Sequence, residues 1–190
     1  DLAFGLAAAK VFDSKRLKEV ANPALLWQHS LCTALIAKNL YREIHIQQDD
    51  GIFSAGLLHD VGKIFFMDHF GEIYRKAFQD AEGQRQPLFE FEEDTFGINH
   101  AKIGYHLSVH WNLPEILAQA IGCHHQPFSA SDYTALAAMT GFADHLYYRA
   151  MWHHGDINED TYLGSHGLTY GHYQILSRLY ENLNEERLDE

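Results

Sequence analysis

The residues of this chain with the clearest potential for chemistry are the adjacent pair His59 and Asp60. They stand in a run, residues 51–66, that is apolar on nearly every face of a helix. Burying an unpaired carboxylate is costly, so something must compensate the charge of Asp60. A metal cation would do this, and so would a cap or an ion pair with Lys63. The residues alone leave these choices open.

Other histidines and one aspartate stand in similar apolar surroundings. An imidazole and a carboxylate from adjacent residues can reach one cation, and the second oxygen of an aspartate can reach another. The pattern therefore predicts a metal site, with Asp60 and Lys63 as catalytic residues and Lys63 steering an anionic substrate oxygen. The seven candidate ligands are His29, His59, Asp60, His100, His124, His125 and Asp144.

The candidate ligands outside the His59–Asp60 pair also have interpretations that involve no metal. His29 alone would be a satisfied core histidine, and Asp144 alone would make a buried salt bridge or a side-chain hydrogen bond. A histidine pair is weak evidence in a chain with 14 histidines. His106 and His110, four residues apart but with no nearby carboxylate, are predicted to be exposed, and 153–154 is predicted to be a solvated pair.

The segments that carry the candidate ligands are predicted to be helices, because no long alternating strand pattern appears. On one of them His100, Gly104, Leu107 and Trp111 are spaced as a single buried face, with Gly104 permitting close approach of another helix. Ser131 is predicted to cap the last long helix of the main domain. The predicted helices are 24–45, 50–66, 72–80, 95–111, 114–125, 131–152 and 170–183, with a Gly/Pro loop at 82–87.

The fold class is therefore all-α. We expect a main domain over residues 1–152, followed by a polar loop and a C-terminal helix, 153–190, packed on it. The start lacks an initiator methionine and a basic leader, so we expect it to be the interior of a longer protein. The loop 82–94 could cover the site.

Composition excludes some partners and compartments. The formal net charge is −12, which argues against duplex nucleic acid. Asp60 and Lys63 interrupt the best apolar run before it reaches the roughly 20 residues of a membrane span. Cys32 and Cys123 lack a CxxC spacing, so we expect two buried free thiols in the cytoplasm.

The segment 58–63, Leu-His-Asp-Val-Gly-Lys, resembles the doublet motif of the HD superfamily of metal-dependent phosphohydrolases. His29 and Asp144 stand where that superfamily has its first histidine and last aspartate. Segments 99–104, 111–114 and 120–125 look like the HDOD branch, which is found in bacterial signalling proteins. The resemblance covers residues 1 to about 152 and implies an HD-domain helical bundle that lacks the usual upstream lobe.

The ligand set is also similar to that of HD-GYP phosphodiesterases, which implies two divalent metals. By that resemblance the first metal is held by His29, His59, Asp60 and Asp144, and the second by His100, His124 and His125, with Asp60 bridging. Lys63 matches the lysine that contacts phosphate. Iron is favoured, with manganese or zinc as alternatives.

Two departures limit the resemblance to HD-GYP proteins and leave cyclic-di-GMP specificity unsupported. Gln126, Pro127 and Phe128 replace an acidic residue and the start of Gly-Tyr-Pro, and Leu25 replaces the glutamate of trinuclear variants.

Two functions follow from the resemblance. The first is a metal-dependent phosphohydrolase or phosphodiesterase in signal transduction, acting on a phosphorylated small molecule or nucleotide. The alternative is a signalling scaffold that binds metal, protein partners or fused domains without hydrolysis.

Overall fold

The computed structural model describes residues 23–43, 51–84 and 86–153, and every regular element in these ranges is a helix. The all-α prediction is confirmed. The elements are α1 (Pro23–Glu43), α2 (Ile52–Leu58), α3 (Val61–Phe70), α4 (Glu72–Gln84), α5 (Leu88–Phe96), α6 (His100–His110), α7 (Glu115–Cys123), a 3-10 helix (Pro127–Tyr133) and α8 (Thr134–His153).

One part of the core joins α1, α2, α7 and α8. Buried side chains such as Tyr41, Ile52, Leu117 and Met139 form this cluster. Helices α1 and α2 approach closely because Gly56 has no side chain: a Cβ there would lie 2.7 Å from the Cα of Ala34. This packing presents α1 and α8 to the turn that follows α2.

A second part of the core joins α3, α4 and α6. Phe66 of α3 stacks on Tyr74 of α4 with ring centroids 4.9 Å apart, and Ile103 of α6 belongs to the same cluster. Helix α6 also packs closely on α7, since a Cβ at Gly104 would lie 2.7 Å from Ile121 Cγ2. The close approach predicted for Gly104 is confirmed.

The predicted helix 50–66 is wrong, because the chain breaks at His59 and Asp60. Helix α2 ends at Leu58 and α3 begins at Val61, with Asp60 at φ −98° and ψ 11°. His59 and Lys63 therefore do not lie on one continuous helix. The break lets α3 turn toward α6, where Gly62 meets the His100 backbone: a Cβ at Gly62 would lie 2.0 Å from the His100 carbonyl oxygen.

Four further features differ from the prediction. Helix α4 continues to Gln84, into the predicted Gly/Pro loop 82–87, and α5 occupies much of the longer segment 82–94 expected to be a loop. Helix α6 begins at His100 rather than near residue 95, because Asn99 caps it by accepting a hydrogen bond from the Lys102 amide at 3.0 Å. Ser131 lies inside the 3-10 helix at φ 50° and does not cap α8.

Two predictions of burial, for Trp111 and for the cysteines, are wrong. Trp111 is 39% exposed and so does not complete the buried face of α6. Cys32 and Cys123 are free thiols but half-buried rather than buried.

The predicted helix 170–183, the predicted loop before it and the side chains of 153–154 lie outside the described residues, so the boundary at 152 stays a prediction. Across the described ranges, the helices are too short or too polar to cross a membrane.

Candidate metal centre

All seven candidate ligands are buried around the turn between α2 and α3. The most exposed of them, His125, has 7% of its surface accessible, and His59 and His124 have none. Lys63 is buried beside them. A group of ionisable side chains this deep in the fold needs a partner for each charge.

The first cluster consists of His29, His59 and Asp144. His29 Nε2 lies 3.2 Å from Asp144 Oδ1 and 3.2 Å from His59 Nε2. These side chains come from α1, from the turn after α2 and from α8. Their ligand atoms lie within 4.8 Å of one another, a spacing that one metal ion could occupy.

The second cluster consists of His100, His124 and His125. His125 Nε2 lies 2.9 Å from His100 Nε2, and the three ligand atoms lie within 4.8 Å of one another. His100 begins α6, while His124 and His125 follow directly after α7. The close packing of α6 on α7 at Gly104 brings these two ends together.

Asp60 stands between the two clusters and directs one oxygen to each. Its Oδ2 lies 3.1 Å from His29 Nε2 and 3.3 Å from His59 Nε2. Its Oδ1 lies 3.4 Å from His100 Nε2 and accepts no hydrogen bond from the described residues. This is the arrangement of a carboxylate that can bridge two cations.

The outward hydrogen bonds of three histidines orient their rings. His59 Nδ1 donates to the Gly56 carbonyl at 2.8 Å, and His124 Nδ1 donates to the Ile121 carbonyl at 2.7 Å. His100 Nδ1 donates to the Glu92 carboxylate at 2.6 Å. With Nδ1 carrying a proton, a neutral imidazole has its lone pair on Nε2, the nitrogen that faces the centre.

Lys63 pairs with Asp60 in this structure. Its Nζ lies 2.7 Å from Asp60 Oδ2, so the ion pair considered from the sequence is formed. Burial opposes the charge on both groups, but His59 and Lys63 hold the pKa of Asp60 well below its usual value, and Asp60 raises the pKa of Lys63. The pair leaves Asp60 Oδ1 still facing His100.

Protonation differs between the two clusters. Burial lowers the pKa of His59, but Asp60 and Asp144 outweigh it and raise that pKa to about 10. In the second cluster burial dominates and lowers the pKa of His124 and of His125 well below 6.5. His124 and His125 are therefore neutral at pH 7, the state in which imidazole binds metal.

These residues fit divalent metal ions. The donors are imidazole nitrogens and carboxylate oxygens without a thiolate, which suits iron, manganese and zinc. Asp60 Oδ1, buried and without a hydrogen bond among the described residues, is an acceptor that a cation would satisfy.

The structure adds residues that the sequence analysis missed. Glu92 of α5 is fully buried and bonds to His100, and Phe89 stacks on His125 with ring centroids 4.4 Å apart. Tyr147 and Tyr148 of α8 lie against the ring of His29. Glu92 belongs to an acidic run that is typical of a solvated loop, although apolar residues at 88, 89 and 91 signal a buried helix face. His106 and His110 are exposed, as predicted.

Comparison with known proteins places this geometry in a family context. Residues 1–127 match the family model of the HDOD domain. An uncharacterised protein of Treponema pallidum is 29% identical over 93 residues, which are 48% of this chain and 18% of that protein. The chain therefore spans less than a fifth of that relative's length.

Solved structures share the fold. An HDOD domain protein of unknown function from Geobacter sulfurreducens is 26% identical with a TM-score of 0.61, over 88% of this chain and 61% of the other. A protein from Shewanella amazonensis, proposed to be a phosphohydrolase, is 23% identical with a TM-score of 0.59, over 85% and 59%. The MmoQ response regulator of Methylococcus capsulatus is 22% identical with a TM-score of 0.54, over 87% and 64%. The chain thus covers less than two thirds of each of these chains.

Proposed function

This chain belongs to the HDOD domain family, and we propose that it binds two divalent metal ions and hydrolyses phosphate esters. One ion would lie in the first cluster and the other in the second, with Asp60 as the shared ligand. The observation that carries the proposal is the pair of Asp60 oxygens, one directed at His29 and His59 and the other at His100. A carboxylate that only neutralised Lys63 would not need its second oxygen beside His100.

Iron is the metal we favour, with manganese or zinc as alternatives, because the second cluster offers only imidazole ligands besides Asp60. When bound, two such ions lower the pKa of a water and neutralise the oxygens of a phosphate ester. We also propose a cytoplasmic location, which the free thiols of both cysteines support.

Lys63 is the residue we assign to the substrate. Its ammonium is kept protonated by Asp60, with which it shares a buried position. If Asp60 held metal ions, the Lys63 ammonium would be available to a phosphate oxygen of the substrate. Lys63 would then orient a phosphorylated small molecule or nucleotide, while Asp60 holds the metals.

One structural relative is itself proposed to be a phosphohydrolase, which makes hydrolysis the reaction to test first. We propose testing metal-loaded protein, prepared without oxygen, on bis(p-nitrophenyl) phosphate and p-nitrophenyl phosphate. His59→Ala should lower the rate by more than about a hundred-fold, since changes behind a metal ligand already cost up to that much. His106→Ala, an exposed histidine on α6, is the matched control and should retain the wild-type rate. Hydrolysis by wild type no faster than by His59→Ala would contradict the proposal.

A signalling scaffold that binds metal without hydrolysis is the second candidate. The burial of the whole ligand set favours it, because none of the seven side chains is more than 7% exposed. The scaffold would bind protein partners or fused domains and use metal only for stability. Two bound ions, a raised melting temperature and no hydrolysis would favour this candidate over the enzyme.

A further inference from the structure

We propose that Glu92 is a positioning residue of the second cluster, which holds His100 with Nε2 directed at the metal and supplies negative charge that strengthens metal binding there. This inference rests on the metal binding of the proposed function. It concerns a residue outside the seven ligands and assigns it to one ion rather than to both.

The contacts of Glu92 concentrate on His100. Its Oε2 accepts hydrogen bonds from the His100 amide at 2.7 Å and from His100 Nδ1 at 2.6 Å. Its Oε1 accepts a hydrogen bond from the Tyr74 hydroxyl of α4. A carboxylate held at both oxygens has little freedom, so it fixes the orientation of the His100 ring as well as its tautomer.

The charge of Glu92 needs a cation. Asp60, Asp144 and Glu92 are the buried carboxylates of the described residues, and Lys63 is the buried lysine among them. The ammonium of Lys63 bonds to Asp60 rather than to Glu92. A metal ion on the far side of the His100 ring would balance Glu92, and the carboxylate would in turn make that imidazole a stronger donor.

Helix α5 touches the second cluster at two points. Phe89, one turn before Glu92, stacks on His125 with an interplanar angle of 13°. Two of the three histidines of this cluster are therefore held by one helix. A change at Glu92 should accordingly act on the second ion more than on the first.

Glu92→Gln tests this assignment, because it keeps the shape and one acceptor oxygen but removes the charge. Glu90→Gln, an exposed glutamate of the same helix, is the matched control. Zinc titrations of metal-free protein, followed by calorimetry, should show two ions for the wild type and for Glu90→Gln. Glu92→Gln should keep the affinity of the first ion and bind the second about 10- to 100-fold more weakly.

A spectroscopic readout separates positioning from a general loss of structure. In the wild type, the short bond to Glu92 should place the His100 Nδ1 proton far downfield in the NMR spectrum of the zinc-loaded and the metal-free protein. Glu92→Gln should move this resonance upfield, while the Nδ1 proton of His59, bonded to the Gly56 carbonyl, stays in place.

Each result decides the matter. Equal affinity for both ions in Glu92→Gln and wild type, or an equal loss for both ions, would overturn the inference. If Glu92→Gln does not fold, Tyr74→Phe replaces it, since this variant frees Glu92 Oε1 but keeps its charge; an unchanged second affinity there would overturn the inference. A wild type that binds no zinc would refute the proposed function, whereas the downfield proton of the metal-free protein would still report the Glu92 contact.

Discussion

The two clusters differ in the groups that compensate their buried ionisable side chains. In the first, the carboxylates of Asp144 and of the shared Asp60 lie directly against His29 and His59, so the positive charge of His59 meets negative charge there. In the second, three imidazoles face one another, and the carboxylate of Glu92 stands behind His100. In the absence of metal the first cluster is therefore compensated by the proton on His59 and by Lys63, while in the second His124 and His125 are neutral and the Glu92 carboxylate lies outside the three imidazoles.

This difference shows what each region can do without metal. His59, with its pKa raised to about 10, is a cation at pH 7 and partly replaces the metal. His124 and His125, whose pKa values burial lowers, are already in the form that binds metal. We therefore expect His59 to lose a proton when an ion binds the first cluster, whereas His124 and His125 are already neutral.

The largest effect should come from Gly62→Ala, which acts on the junction of the two clusters. A Cβ at Gly62 would lie 2.0 Å from the carbonyl oxygen of His100, and backbone cannot yield as a side chain tip can. We expect a loss of about 3 kcal/mol or more in the free energy of unfolding, measured with urea, and weaker binding of the second ion.

Gly83→Ala is the control for that prediction. Gly83 lies in α4, and no neighbouring element of the described residues comes within 4 Å of the position that a Cβ would take there. Alanine should therefore be neutral or stabilising by up to about 1 kcal/mol. A Gly62→Ala protein as stable as Gly83→Ala would show that α3 and α6 do not need this contact.

Lys63→Met should show which cluster depends on an internal counter-charge. Removing the ammonium leaves Asp60 buried without its partner, at a cost of about 3 kcal/mol in the unfolding free energy of the metal-free protein. Bound metal should recover much of this loss, because it compensates Asp60 instead.

The matched control is Lys102→Met, which breaks the exposed pair with Glu93. That change should cost about 1 kcal/mol or less, with or without metal. If the two lysine variants lose similar stability, the buried pair is not the counter-charge of the first cluster.

The smallest effect that we expect is the difference between the two clusters in the number of protons released when a metal ion binds. At pH 7, an ion entering the first cluster should displace about one proton from His59, whereas an ion entering the second should displace none from His124 or His125. The release from His59 should disappear as the pH rises above about 10, where the ring is already neutral.

Calorimetry in buffers of different ionisation enthalpy measures this release. His125→Ala leaves the first cluster intact, and His29→Ala leaves the second intact. Equal proton release by the two variants would contradict the predicted difference in protonation between the clusters.

The sequence predicted the helical class and the residues that meet at the site more successfully than the path of the chain between them. Histidine and aspartate in apolar surroundings need partners wherever they are buried, so the set as a whole, rather than any single member, marks His29, His59 and Asp144. The break at His59 and Asp60 has no such local signal, because it depends on the contact between Gly62 and the distant His100 backbone. Glu92 was missed because its partners lie on two other helices, although the apolar residues around it indicate a buried helix face.

The central claim is that Asp60 joins two metal ions, and metal content per chain tests it most directly. Protein purified without oxygen would be loaded with iron or manganese, desalted and analysed for bound metal beside Asp60→Asn, with circular dichroism to confirm that both are folded. We predict about two ions for the wild type and loss of both in the folded variant, because each ion would share this carboxylate. A wild type without bound metal, or an Asp60→Asn protein that keeps two ions, would contradict the account.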